Sequence, residues 1–190
     1  ERELGGVVKS QSWILRLPNS LTDEQKRNAL RFIGFTKDKK SAPEGTKSRL
    51  VVNGAQRRRE DYDVYSEASA STGRRSNLFS IASFAAANNW ACASFDFEQA
   101  FTISKIHEDE NAEKIICKLD RIYVKILKKV DPTTSYDEYI AENGSIYVEL
   151  TKAVYGLIQA ARRWYDTFAT AMIEIGYEKN PYDECCFNLK

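Results

Sequence analysis

The 190 residues are 43% apolar and 29% charged with a net charge of +1, an ordinary globular composition in a chain long enough to bury a substantial core. No apolar run approaches the ~20 residues of a membrane span, no signal peptide is visible, and the near-zero total charge gives no global field toward nucleic acid. Four cysteines without the paired spacing of a zinc site, beside the single His107, argue against structural zinc and for free thiols in a reducing compartment.

Charge is unevenly spread. Residues 1–60 hold 14 Lys/Arg against 7 Asp/Glu, whereas residues 61–190 hold 14 against 20. A basic front and an acidic back suit a protein that grips phosphates with one part and metal ions with another; two solvated faces of opposite sign would look the same. The chain opens on Glu1 rather than Met, which reads as a fragment or a processed piece.

In chain order, residues 7–17 predict a strand stopped by Pro18. Thr22 to Gln25 fits a capping box, with Leu30 and Ile33 continuing a short helix. Residues 36–46 are polar, with Pro43 and Gly45 marking a turn, and residues 47–52 predict a strand that Gly54 ends. Residues 53–73 form a long polar loop, after which Ser71 or Thr72 caps a helix over 74–89 carrying Leu78, Ile81, Ala82, Ala85 and Ala86 at helical spacing. Residues 90–97 predict a buried strand. Segments 115–119 and 122–127 are rich in β-branched residues, 131–145 is a loop, and 146–150 is a strand. Ala161, Trp164, Tyr165, Phe168, Met172 and Ile173 fall on one helical face, Gly176 suits the position past its end, and Cys185–Leu189 begins a strand after the turn at Asn180-Pro181. Helices and strands mix without strict βαβ alternation, so the fold class is α+β.

Two segments carry candidate chemistry. In Ser94-Phe95-Asp96-Phe97-Glu98-Gln99-Ala100-Phe101, a carboxylate leaves an apolar strand, an arrangement that is costly without a partner and that suits a Mg²⁺ ligand. Asp96 as a helix N-cap is the plainer alternative. In Lys152-Ala153-Val154-Tyr155-Gly156-Leu157-Ile158-Gln159-Ala160-Ala161-Arg162-Arg163-Trp164-Tyr165, a strand turns at Gly156 into an aromatic-bearing helix, with Trp164 and Tyr165 read as core.

Taken together these segments resemble the reverse transcriptase of copia-type retrotransposons. Asp96–Phe101 matches that family's Asp-x-x-x-Ala-Phe, and Tyr155–Tyr165 matches its Tyr-Gly-Leu-Lys-Gln-Ala-Pro-Arg-x-Trp-Tyr. Lys47–Gly54 is similar to its Lys-Ala-Arg-Leu-Val-x-x-Gly, Ser10–Trp13 to the opening Ser-x-x-Trp, and Gly176-Tyr177 through Phe187 to Gly-Phe…Asp-x-Cys-Val-Phe; order and spacing agree over about residues 7–189. The resemblance implies that Asp96 is the catalytic, metal-binding carboxylate of a two-metal polymerase site, with the carbonyl of Phe97 facing the same Mg²⁺. It implies that Lys47 and Arg49 reach the triphosphate, that Phe101 lies under the incoming sugar, and that Gln159 lies beside the incoming nucleotide. Without the resemblance, Lys47 and Arg49 read as a solvated strand face.

The sequence departs from the family at Ile158 (usually Lys), at Ala161 (usually Pro), and at Thr102-Ile103-Ser104 after the first motif. The family's Tyr-x-Asp-Asp hairpin is expected after Cys185–Leu189, beyond Lys190. The expected architecture is one partial right-hand polymerase domain, with fingers over about 1–70 and palm and fingers over about 71–190. An antiparallel palm sheet would pack on the 74–89 and 160–175 helices, and strands near 7–17 and 47–52 would form the fingers hairpin. Missing palm strands would leave an exposed edge and uncovered apolar helix faces. The implied partners are an RNA or DNA template–primer and deoxynucleoside triphosphates, with no membrane. The implied setting is intracellular and cytoplasmic, within a virus-like particle of the parent element. A catalytically inactive remnant and a domesticated nucleic-acid-binding module are the competing functions.

Overall fold

The computed structural model describes residues 1–38, 46–56, 68–106 and 114–189. Its elements are α1 (Arg2–Lys9), β1 (Trp13–Arg16), α2 (Asp23–Asn28), β2 (Leu30–Asp38), β3 (Thr46–Val52), α3 (Arg75–Ala87), β4 (Ile116–Leu119), α4 (Arg121–Val130), β5 (Ile146–Leu150), α5 (Ala160–Glu174), β6 (Tyr177–Asn180) and β7 (Asp183–Leu189). The class is α+β. The turn expected at Pro43 and Gly45 and most of the 53–73 loop, including the Arg57-Arg58-Arg59 run, lie outside the described residues, as does His107.

Five strands form one sheet in the order β1-β5-β4-β2-β3. Three of its pairings are antiparallel, but β2 and β4 run parallel, with Leu30 opposite Cys117. The sheet is therefore mixed, not antiparallel. The hairpin is β2–β3, with Phe35 opposite Arg49. The expected pairing of the first strand with 47–52 is replaced by β1 on β5, with Trp13 opposite Leu150.

Burial explains the sheet. Cys117, Leu119, Ile146, Val148 and Leu150 point to one face, where Leu4 and Val7 of α1 and Val124 and Leu127 of α4 cover them. Ile116 and Tyr147 alternate to the other face and pack with Leu21 and Ala29 around α2. This period of two, with both faces covered, makes β5 almost continuously buried.

The covering helices correct several expectations. Residues 7–9 are helical, because Leu4 and Val7 sit one turn apart and bury together against the core. The capping box at Thr22 forms with both arms (Thr22 N to Gln25 Oε1 2.9 Å, Gln25 N to Thr22 Oγ1 3.1 Å), but the helix it opens ends at Asn28. Leu30 and Ile33 belong to a strand, where Leu30 and Phe32 alternate into the core. Residues 122–127 are helical despite their β-branched content, since Val124 and Leu127 share one face over the sheet.

The second body of structure is thinner. α3 and α5 do not cover the five-stranded sheet; they are joined by the separate two-stranded sheet β6–β7. α5 ends where expected, with Gly176 at φ 99°. The strand at β7 begins at Asp183, and β6, before the turn, went unforeseen. Residues 90–97 are not a buried strand. Residues 91–97 have no regular structure and carry no backbone hydrogen bond among the described residues. Phe95 is 84% exposed, and Leu78, Phe79, Ile81 and Phe84 of α3 lie open to solvent. The sequence asks for a paired strand here, but pairing is non-local, and among the described residues only β6 lies beside β7. The uncovered apolar helix face is thus present, on α3.

Candidate nucleotide site

The site is built where β3 meets the turn before α5. The Val52 amide donates to the Tyr155 carbonyl at 2.7 Å, which ties the two segments together. A glycine stands on each side of their approach. A Cβ on Gly54 would fall 2.2 Å from the Gly156 carbonyl oxygen, and one on Gly156, at φ 91°, would fall 2.0 Å from that of Val52. No side chain fits at either position, so the Gly54 and Gly156 of the two motifs answer one steric demand.

This junction assembles residues far apart in sequence. The Arg49 guanidinium lies 5.8 Å from the centre of the Tyr155 ring, a cation–π distance. Phe101 meets the same ring edge-on at 4.7 Å. Arg49 itself is exposed and has no ion-pair partner among the described residues, an arrangement that suits an anion. Tyr155 therefore joins the two predicted residues, a role that its place between a strand and a glycine turn did not reveal. The side chain of Lys47, two residues before Arg49 in β3, lies outside the described residues.

Gln159 holds the residue position before α5 and is 3% exposed. Its Oε1 is buried with no hydrogen-bond partner among the described residues. A buried amide oxygen without a donor is costly, on the order of 1–3 kcal/mol, a cost that a water or a bound molecule would relieve.

Asp96 is placed differently. It is exposed, and it makes no hydrogen bond or ion pair among the described residues. It does not cap a helix. The 3-10 turn Ala100–Ile103 follows Gln99, which adopts φ 51° and carries no side-chain cap. Gln99 packs its amide into the space left by Gly6 of α1, where an added Cβ would fall 1.7 Å from Nε2. Next to Asp96, the Phe97 ring is held against Trp164 at 5.1 Å and Phe168 at 6.0 Å, and Phe168 in turn meets Phe187 of β7 at 5.7 Å. Two aromatic residues of the first motif, Phe97 and Phe101, thus make ring contacts while the Asp96 carboxylate stands in solvent. Among the described residues no three His, Cys, Asp or Glu side chains gather closely enough to share a metal ion. Asp96 and Phe97 alone do not fit a Mg²⁺ centre.

The last motif contributes an anchor. Asp183 is buried and accepts from the Arg74 amide (3.2 Å), the Asn77 side chain (2.5 Å) and the Cys185 amide (2.9 Å). These donors hold its carboxyl below the usual carboxylate range, the two backbone amides contributing most. The start of α3 is therefore capped from β7, not by Ser71 or Thr72. Ser71 bonds Glu184 instead (2.6 Å), and Tyr165, buried in α5, donates to the Glu184 carbonyl at 3.0 Å.

No helix among the described residues is long and apolar enough to cross a membrane. No curated protein and no solved structure matches the chain significantly. A family model, described as reverse transcriptase (RNA-dependent DNA polymerase), matches residues 16–188. That span runs from β1 to β7 and takes in the Arg49–Tyr155–Phe101 cluster, Gln159 and Asp96. By this match over most of its length, the chain belongs to the reverse transcriptase (RNA-dependent DNA polymerase) family.

Proposed function

We propose that this chain is the fingers and part of the palm of a copia-type retrotransposon RNA-directed DNA polymerase, and that its β3–α5 junction is the nucleotide-holding part of the site. Arg49 receives the triphosphate, Phe101 lies under the sugar, and Gln159 faces the nucleotide. Lys47 belongs to the same phosphate grip. The observation that carries this reading is the joint placement of Arg49 and Phe101 on Tyr155, with the unpartnered Gln159 oxygen at the start of the adjoining helix. Residues about 1–70 contribute the fingers and about 71–190 the remainder. The natural partners are an RNA or DNA template–primer and deoxynucleoside triphosphates, in an intracellular, cytoplasmic setting. Cys117 suits that setting as a buried free thiol, its pKa driven up by burial.

Asp96 supports a second reading. It is the catalytic candidate of the family's two-metal reaction, yet no group of three or more His, Cys, Asp or Glu side chains gathers to hold a metal ion among the described residues. A chain that binds nucleotide and primer–template without extending it, as an inactive remnant or a nucleic-acid-binding module, has the same nucleotide pocket. The deciding experiment titrates a labelled deoxynucleoside triphosphate onto the chain and then tests primer extension with Mg²⁺. Nucleotide binding that weakens at least about tenfold in both Arg49→Ala and Gln159→Ala supports the pocket, since each removes a charged or buried contact. Undiminished binding in both variants refutes it. Extension abolished by Asp96→Asn selects the polymerase, and binding without extension selects the module.

A further inference from the structure

The acidic part of the chain contains a strongly basic helix. Helix α4 carries Arg121, Lys125, Lys128 and Lys129 and no acidic residue over its ten positions. Arg121, Lys125 and Lys128 follow at steps of four and three, so they share a face and spread along it, with about 6 Å of rise between the first two. That face borders a groove of about 490 Å³ closed on the far side by the segment 140–144, with Val124, Ile140 and Ala141 as its apolar floor.

The polar lining is nearly all donor. The Arg121 stem rests against Gly144, whose φ is 79° and whose added Cβ would lie 3.2 Å from Arg121 Cδ, so the backbone turn seats the guanidinium stem. Asn143 spends its Oδ1 on the Ser145 amide (3.1 Å) and hydroxyl (2.5 Å), which leaves its NH₂ for the groove. Lys128 pairs with Asp137 at 2.5 Å, but both side chains are well exposed, and such pairs contribute only about 0–1 kcal/mol. Among the described residues Glu142 is the one acid lining the groove and no aromatic side chain lines it, an arrangement without a platform for a base.

We infer that this groove grips the phosphodiester backbone of a nucleic-acid strand, independently of sequence. Regularly spaced cations and amide donors match a repeating anion with acceptor oxygens, and the lack of rings favours backbone over bases. No groove residue belongs to the Arg49–Tyr155–Phe101 cluster. The inference rests on the reading under Proposed function only for its choice of nucleic acid as partner.

The test measures binding of a fluorescein-labelled primer–template duplex across a salt series. Combined Arg121→Ala, Lys125→Ala and Lys128→Ala should weaken binding at low salt about tenfold or more and reduce the log–log salt slope by about two to three. Lys125→Glu alone, at an exposed position that leaves the Gly144 contact intact, should lower the slope by at least about one. Both variants should keep the wild-type melting temperature and nucleotide affinity. An unchanged slope in Lys125→Glu overturns the inference, as does a wild-type chain that binds no duplex. Polyglutamate that displaces the duplex at equal charge concentration overturns it in favour of an acidic peptide. Nucleotide binding insensitive to Arg49 and Gln159, with an α4-dependent slope, would remove the nucleotide pocket and leave this groove standing; the reverse pattern would do the opposite.

Discussion

The five-stranded sheet and the segment from α3 to residue 97 are both rich in apolar residues, yet they meet opposite fates. In the sheet, Leu119, Ile146 and Val148 are completely buried, because two helices, α1 and α4, cover one face with Leu4, Val7, Val124 and Leu127. In the second region, Leu78, Phe79, Ile81, Phe84, Trp90 and Phe95 remain exposed, and the chain from 91 to 97 has no backbone partner among the described residues. Apolar composition states that a surface is to be covered; topology supplies the cover. What fixes the second region is two hydrogen-bonded anchors, Asp183 on the first turn of α3 and Tyr165 on β7, and one small aromatic cluster, Phe97–Trp164–Phe168–Phe187.

The largest expected effect separates the two regions by hydrogen exchange. Amides of β4 and β5 should exchange only with global unfolding, orders of magnitude more slowly than those of residues 91–97, which should exchange nearly as in a free peptide. Equal protection in both would break the comparison. Next, Leu127→Ala should cost about 2–5 kcal/mol in urea unfolding, whereas Phe84→Ala, at a position 64% exposed, should stay within about 0.5 kcal/mol.

Gly156→Ala should cost at least about 1–3 kcal/mol for its left-handed backbone. It should also abolish nucleotide binding, because the added methyl collides with the Val52 carbonyl and parts Tyr155 from Arg49. Retained binding would detach the glycine junction from the pocket.

A smaller effect is pH-linked. The folded Asp183 carboxyl lies below its ordinary value, so the folded state holds fewer protons there. Its contribution is present above the unfolded carboxylate pKa, about 3.9, and is lost as pH falls toward the folded one. Exchange at the start of α3 should therefore accelerate on acidification below about pH 4, and Asp183→Asn should remove that dependence. Smallest of all in stability, Leu78→Gln with Phe79→Lys should leave the melting temperature nearly unchanged while reducing light scattering, since they shrink the exposed apolar patch.

Local signals read well where short-range physics decides. The Thr22 box and the glycine after α5 depend on neighbours in sequence, and the strand at 146–150 showed in its own apolar run, whereas the β-branched content shared by 115–119 and 122–127 did not separate a strand from a helix. The cluster of Arg49 and Phe101 was legible only through the ordered motifs, since no spacing along the chain brings residues 49, 101 and 155 together. Tyr155 as their shared platform, the Asp183 cap and the groove on α4 left no local trace.

The sequence by itself determined the family, through motifs kept in order from Ser10 to Phe187, and the amphipathic faces that had to be buried. Only the tertiary structure decided which faces found cover. It made residues 2–9 a helix over the core, turned 122–127 into another, ran β2 parallel to β4, and left 91–97 unpaired. The reason is that backbone pairing and apolar burial depend on partners distant in the chain, while caps and turns are settled within a few residues.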